Sequence, residues 1–234
     1  MRILAFDSSA KSASVCIFED GFGVVAEYFQ NAGLTHSKTL MPLIDDILKN
    51  TGLELKDMDY LAASIGPGSF TGIRIGLSTL KGLCLGAGKE ALAVSTLSAL
   101  AQNCRGLHDD AVICAVMDAR RNEFYNALFS LGEDKIERIR DDRTISCAEL
   151  LWELENIKKP VFILGDGAKL CYNQANDKIR LNLKLVPENL LLQRASGVAA
   201  AAAEAEPRDA ASVLPSYLRL SQAERERLDK AKNK

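Results

Sequence analysis

The alternation of apolar and polar positions divides the chain into short strands followed by amphipathic helices, and it does so twice. Arg2 to Phe6 and Ser14 to Phe18 are apolar runs of strand length around a polar turn that begins Asp7-Ser8-Ser9, and Phe22 to Phe29 supplies a third. The chain therefore opens with an antiparallel meander before any helix. Leu40, Leu43, Ile44, Ile47 and Leu48 then recur at the spacing of one buried helical face, closed by Asn50-Thr51-Gly52. Pro42 falls inside this stretch, and the reading preferred is a helix that starts near His36 and bends, over one that starts near Thr39. A strand at Leu61 to Ile65, a glycine-rich helix, a strand at Ala91 to Val94 and a helix from about Ser95 to Asn103 complete the order β-β-β-α-β-α-β-α.

A second round opens after the turn-rich segment from Asn103 to Asp110. Val112 to Met117 is again an apolar strand ending in an aspartate, Asp118, and Glu123 to Ser130 is its hairpin partner. Ala148 to Leu154 reads as helix, Val161 to Leu164 as strand, and Gly165-Asp166-Gly167 as a turn into another helix. The alanine-rich stretch from Gln193 to Glu206 is a strong helix former, ended by Pro207. The repeated strand order and the two strand-ending aspartates predict an internal duplication in two domains, 1–106 and 107–234. The last helix, about 194–220, is expected to pack back on the first domain.

The segment from Ile65 to Gly86 stands apart. Gly66-Pro67-Gly68 cannot continue the preceding strand, Ser69 and Thr71 are both candidate caps, and Ile73, Leu77, Leu80, Leu83 and Cys84 give the helix its apolar face. Gly72, Gly76 and Gly82 leave another side nearly bare. Each glycine costs a helix about 1 kcal/mol relative to alanine, so several in one helix imply close packing, either within the domain or against another subunit.

With 234 residues and 47% hydrophobic content, the chain can bury one large core or two modest ones. A formal charge of −2 and a pI near 5.8 provide no global basic field for nucleic acid. The tail from Gln222 to Lys234 mixes both signs and reads as a solvated helix end, with RNA contact as the alternative. The first residues fit neither a signal peptide nor a membrane span, so a cytoplasmic protein is expected. The six cysteines are dispersed, without a Cys-x-x-Cys pair, and are expected to be buried free thiols.

Most catalytic patterns fail on spacing. Gly66 to Gly72 is one residue too long for a dinucleotide fingerprint, and Gly82 is misplaced relative to Gly88-Lys89 for a Walker A loop. His36 and His108, the only histidines, lie in separate segments, which disfavours a metallopeptidase. What remains is Asp7-Ser8-Ser9 and Asp118, which could face phosphate and magnesium across a cleft, with Gly165 and Gly167 letting backbone approach a nucleotide. The alternative is turn capping.

Ile3 to Ser9 with Ser14 to Ile17, His36-Ser37 with Leu40 to Ile44, Gly66 to Gly76, Asp118 to Tyr125 and Pro215 to Arg219 together resemble the TsaB (YeaZ) family. The resemblance implies a two-lobed α/β fold of the actin-like, Hsp70-like, sugar-kinase-like class. It also implies an accessory, non-catalytic role: partnering TsaD, the subunit that transfers threonylcarbamoyl to adenosine 37 of ANN-reading tRNAs, alongside the ATPase TsaE and a separate enzyme that makes threonylcarbamoyl-adenylate. Contact with tRNA would come through the complex. The catalytic relative bears metal-binding histidines in an Asn-His-x-x-x-His motif where this chain has Thr96 and Leu100, so no metal is expected. ATP or ADP with magnesium is expected weakly or at the partner interface, and an active Mg-ATP-dependent phosphotransferase of the same fold is the alternative. By the same resemblance, two helices, His36 to Asn50 and Thr71 to Gly86, would meet the partner, or a second copy when alone, through His36, Met41, Ile44, Leu48, Gly72, Ile73, Gly76 and Leu80.

Overall fold

The computed structural model describes residues 1–107, 110–133 and 135–219; His108 and the tail from Gln222 lie outside the described residues. Strands β1 (Arg2–Asp7), β2 (Ala13–Glu19) and β3 (Gly23–Gln30) form the antiparallel meander. β4 (Tyr60–Gly66) and β5 (Glu90–Ser95) join parallel on the other side of β1, giving the order β3-β2-β1-β4-β5. The central strands are apolar at nearly every position because both faces are covered. Leu4, Phe6, Leu61 and Ala63 pack under α1 (His36–Thr51) and α2 (Phe70–Ala87), while Ile3, Ala5, Ala62, Leu92 and Val94 point the other way.

The second sheet repeats the plan. β6 (Ala111–Asp118), β7 (Glu123–Leu131) and β8 (Ile136–Ser146) form a meander, and β9 (Val161–Leu164) and β10 (Leu183–Leu185) add in parallel beside β6. The order β10-β9-β6-β7-β8 is the first sheet's order with each strand replaced by its counterpart, so the duplication expected from the meander is present in the topology. Helices α4 (Cys147–Glu155), α5 (Ala168–Gln174) and α6 (Asp177–Arg180) belong to this half.

Two short helices exchange sheets. α3 (Thr96–Ala101) follows β5 but places Leu97, Leu100 and Ala101 in the second half's core. α7 (Ala195–Ala202) follows β10 but buries Val198, Ala199 and Ala202 against Ile3, Ala5, Ala62, Leu92 and Val94 of the first sheet. The two helices touch where a Cβ on Gly197 would overlap the carbonyl of Ala99. α7 is shorter than either the propensity of Gln193 to Glu206 or the expected 194–220 helix. Pro207 supplies no N–H, and Arg208 pairs antiparallel with Ala91, donating to its carbonyl at 3.1 Å and accepting from its amide at 2.9 Å.

Local signals account for most boundaries. α1 starts at His36 with Pro42 inside it and ends on Gly52, whose φ of 68° suits glycine. Ser69, not Thr71, caps α2, accepting from the Gly72 amide at 3.3 Å. β8 has no alternating period because it is an edge strand covered in charge: Glu137, Arg138, Arg140, Asp141, Asp142 and Arg143. Some of these charges bind inward. Arg138 contacts Asp142 and Ser98, Asp142 accepts from Ser95 at 2.6 Å, and Arg143 donates to the buried Asn126 at 2.9 Å. All six cysteines are buried and unbridged, matching the expectation of free thiols.

Replacing Gly197 by leucine should cost about 2–3 kcal/mol by overpacking, read as a lower denaturation midpoint. The same change at Gly82, inside α2 where an added Cβ meets nothing within 4 Å, should instead raise the midpoint slightly, by up to about 0.8 kcal/mol of helix propensity.

Candidate functional site

Because β1 and β6 occupy equivalent places in the two sheets, their C-terminal turns come to the same region of the molecule, one from each lobe. Between them is a cleft of about 470 Å³. Its lining includes Ser9 and Lys11 from the β1–β2 turn, Ser69 and Thr71 from the start of α2, Asp118 and Arg120 from the β6–β7 turn, and Asp166. Tyr217 and Arg219 border it as well.

Of the residues expected to touch a nucleotide, Ser9 and Asp118 line this cleft and the others do not. Asp7 is 1% exposed and its carboxylate accepts from the Ser9 amide at 3.0 Å and the Ser9 hydroxyl at 2.9 Å. Burial raises its pKa. It caps its own turn. Ser8 is likewise buried, its hydroxyl donating to the Gly72 carbonyl at 2.9 Å. Gly165 and Gly167 are closely packed against the second lobe. A Cβ at Gly165 would overlap the Val116 carbonyl, and one at Gly167 would lie 2.9 Å from the Phe124 ring.

Between those glycines is a residue the sequence did not single out. Asp166 accepts from the Asp118 amide at 3.3 Å. Burial, with the nearby Asp118 charge adding to it, pushes its carboxyl up to about 6. Asp118 itself is exposed and accepts from the Arg120 amide at 2.7 Å. Thus two carboxylates share the second-lobe side of the cleft, while the hydroxyls of Ser69 and Thr71 come from the first. The clue was available: a carboxylate between two glycines at a strand end has a backbone that can approach β6 closely. Arg120, Arg121 and Asn122 follow with φ of 64°, 57° and 61°. Three consecutive non-glycine residues in this region store roughly 1 kcal/mol each.

The helix residues expected to meet a partner divide in the same way. Ile44, Ile73 and Leu80 are 1%, 0% and 0% exposed and belong to the first lobe's core. Gly72 and Gly76 are filled from inside: a Cβ at Gly72 would overlap the Ser8 carbonyl, and one at Gly76 would lie 2.6 Å from the Ser8 hydroxyl. In this structure all five are packed inside the first lobe. His36 is half-buried, its Nε2 bonded to the Ala10 carbonyl at 2.7 Å, and Leu48 packs at the edge of the core. Met41 is 46% exposed. The bare part of α2 lies further on, at Ser78, Gly82, Leu85 and Gly86.

Two duplicated lobes with exchanged helices and a polar cleft between them define a protein of the actin-like, Hsp70-like, sugar-kinase-like class. Component A of (R)-2-hydroxyglutaryl-CoA dehydratase from Acidaminococcus fermentans shares that fold, with a TM-score of 0.50 at 14% identity over 88% of this chain and 97% of the other. YeaZ from Pseudomonas aeruginosa superposes with a TM-score of 0.76 at 25% identity, over 93% of this chain and 99% of the other. The family described as "TsaD: tRNA N6-adenosine threonylcarbamoyltransferase" matches residues 16–226. The tRNA threonylcarbamoyladenosine biosynthesis protein TsaB of Bacillus subtilis is 30% identical over 96% of both chains. The TsaB of Escherichia coli is 35% identical over 65% of both. The chain belongs to the TsaB (YeaZ) family, within the larger group of TsaD-like proteins.

Asp166 makes stability depend on pH. Its folded carboxyl holds a proton more tightly than the ordinary 3.8. Its contribution is therefore full below pH 3.8 and is lost as pH rises through about 6. Asp166→Asn should stabilise the protein at pH 8 by up to about 3 kcal/mol. The gain should vanish below pH 4, as thermal unfolding across that range would record.

Proposed function

We propose that this chain is a non-catalytic subunit of the bacterial complex that forms N6-threonylcarbamoyladenosine on ANN-reading tRNAs, and that it binds and activates a TsaD-like catalytic subunit. The observation that carries this reading is the environment of Thr96 and Leu100. Both are fully buried in α3, and Leu100 packs in the second lobe's core beside Gly165. Leucine has no lone pair to give a metal, and the space around it is filled by side chains. Among the described residues, no three His, Cys, Asp or Glu side chains come together so as to hold a metal ion, and no helix is long and apolar enough to cross a membrane.

The catalytic partner docks, in this reading, on the exposed faces of α1 and α2 around Met41, Ser78, Gly82 and Leu85. The small residues of α2 let another helix approach closely, and Leu85, 87% exposed, gives it apolar area to cover. Without the partner, the same face closes on a second copy. A TsaE-like ATPase and tRNA join through the complex, in the cytoplasm. The polar cleft favours a second reading, a phosphotransferase. Its donors suit a nucleotide: Lys11 and Arg120 for phosphate charge, the hydroxyls of Ser69 and Thr71 for phosphate oxygens, and Asp118 with Asp166 for magnesium. Weak ATP or ADP binding there is compatible with either reading.

Threonylcarbamoyl transfer to an ANN-reading tRNA, measured with purified TsaC, TsaD and TsaE-type proteins, ATP, threonine and bicarbonate, separates the two. Transfer should require both this chain and the TsaD-type protein, with none from this chain alone. Transfer that proceeds equally well without it, together with ATP turnover by the isolated chain, would favour the phosphotransferase. Gly82→Leu should weaken the complex at least tenfold, by titration against the TsaD-type protein, with thermal stability preserved.

A further inference from the structure

After α7 the chain runs back along the first lobe, buries Ala210 and Val213 in its core, and crosses the mouth of the cleft at Pro215 to Arg219. The first-lobe contacts of this segment are dense. The Ser216 amide donates to the Ile65 carbonyl at 2.8 Å, and the Ser216 carbonyl fills the space where a Cβ on Gly66 would sit. Tyr217 stacks on Phe70 with ring centroids 4.6 Å apart, and Arg74 lies over the other partner of that stack, 3.8 Å from the Phe70 centroid, while donating to the Tyr217 hydroxyl at 3.0 Å. On the second lobe the segment's hydrogen bond and ion pair, among the described residues, are made by Arg219. Its guanidinium donates to the Ala119 carbonyl at 2.6 Å and pairs with Glu123 at 2.9 Å, the side chain being 15% exposed.

These two anchors lie on opposite sides of the cleft, and the turn that Arg219 grips is the strained one, Ala119 to Glu123. We propose that Pro215 to Arg219 is a strap that fixes the opening of the cleft: it is fastened to the first lobe through Ser216 and Tyr217 and holds the β6–β7 turn of the second lobe through Arg219. Arg219 is thus a positioning residue. It neutralises Glu123, satisfies the Ala119 carbonyl, and holds Asp118 and Arg120 at the cleft's rim. Phe70 and Arg74 belong to the first turns of α2, so the strap also connects the start of that helix to the far lobe. The lobes are also joined by α3 and α7, packed together between the sheets, and by Ser95 of β5 bonded to Asp142 of β8; the strap adds a tie at the cleft's mouth, made by the Arg219 side chain.

Hydrogen–deuterium exchange on the full-length chain, read peptide by peptide, tests this. Arg219→Ala should speed exchange across 118–123 roughly tenfold and leave β1 and β4 unchanged. Glu123→Gln, which removes the ion pair but keeps the Ala119 contact, should give a smaller rise at the same place. Tyr217→Ala should speed exchange both there and at 66–74, because the strap loses its fastening. Trypsin should also cut Arg219→Ala faster after Arg120 or Arg121. Unaltered exchange at 118–123 in Arg219→Ala would overturn the strap. A uniform rise over the whole chain in Arg219→Ala would overturn it too, by making Arg219 a contributor to general stability.

Discussion

The carbonyl of Ser8 rests in a notch that only glycine can provide. Gly72 and Gly76 remove the side chains from one face of α2, and the β1–β2 turn fills the groove, with the Ser8 hydroxyl bonded to the Gly72 carbonyl and Asp7 capping the turn from beneath. Much follows from that contact. It brings the start of α2 against the end of β1, so that Ser9, Ser69 and Thr71 reach one rim of the cleft together. The glycine turn before α2 is pinned from a second side by Ser216. Bulk at any of these positions would move the helix, and with it the first lobe's half of the cleft.

The second lobe makes its half by the same means with different residues. The turn after β9 approaches β6 so closely that Gly165 and Gly167 are required, and Asp166 is delivered between them to the Asp118 amide. Duplication thus preserved a geometric device: a glycine-bearing turn beside the end of each lobe's leading strand. Chemistry then diverged. The first lobe contributes hydroxyls and Lys11, the second carboxylates and Arg120.

How much of this was legible follows from what each signal measures. Hydrophobic period reports burial, so the fully buried strands and the amphipathic α1 could be read from the chain, and so could the repeat that gives the fold. β8 was invisible because its residues face solvent and ion-pair partners instead of a core. β10 is only Leu183 to Leu185, too short to have a period. The glycine stripe on α2 was legible as close packing, but a stripe does not say what packs; Ser8, sixty-four positions away from Gly72, does. A strand-ending aspartate reads the same in sequence whether it faces solvent or its own turn, and only the burial of Asp7 and the exposure of Asp118 tell them apart.

The exchange of α3 and α7 between sheets has a consequence for how the chain is made. One face of the first sheet, Ile3, Ala5, Ala62, Leu92 and Val94, is covered by a helix that is synthesised only at Ala195 to Ala202. On a ribosome adding roughly 5–20 residues per second, that face waits several seconds for its cover after β5 has emerged. Meanwhile α3, already made, has no second sheet to enter. The nascent first lobe is therefore an incomplete body with an apolar side, one that a chaperone would recognise and a premature stop would leave permanently open. The two halves look like separate domains in their strand order, yet each completes its core with a helix that follows the other's strands.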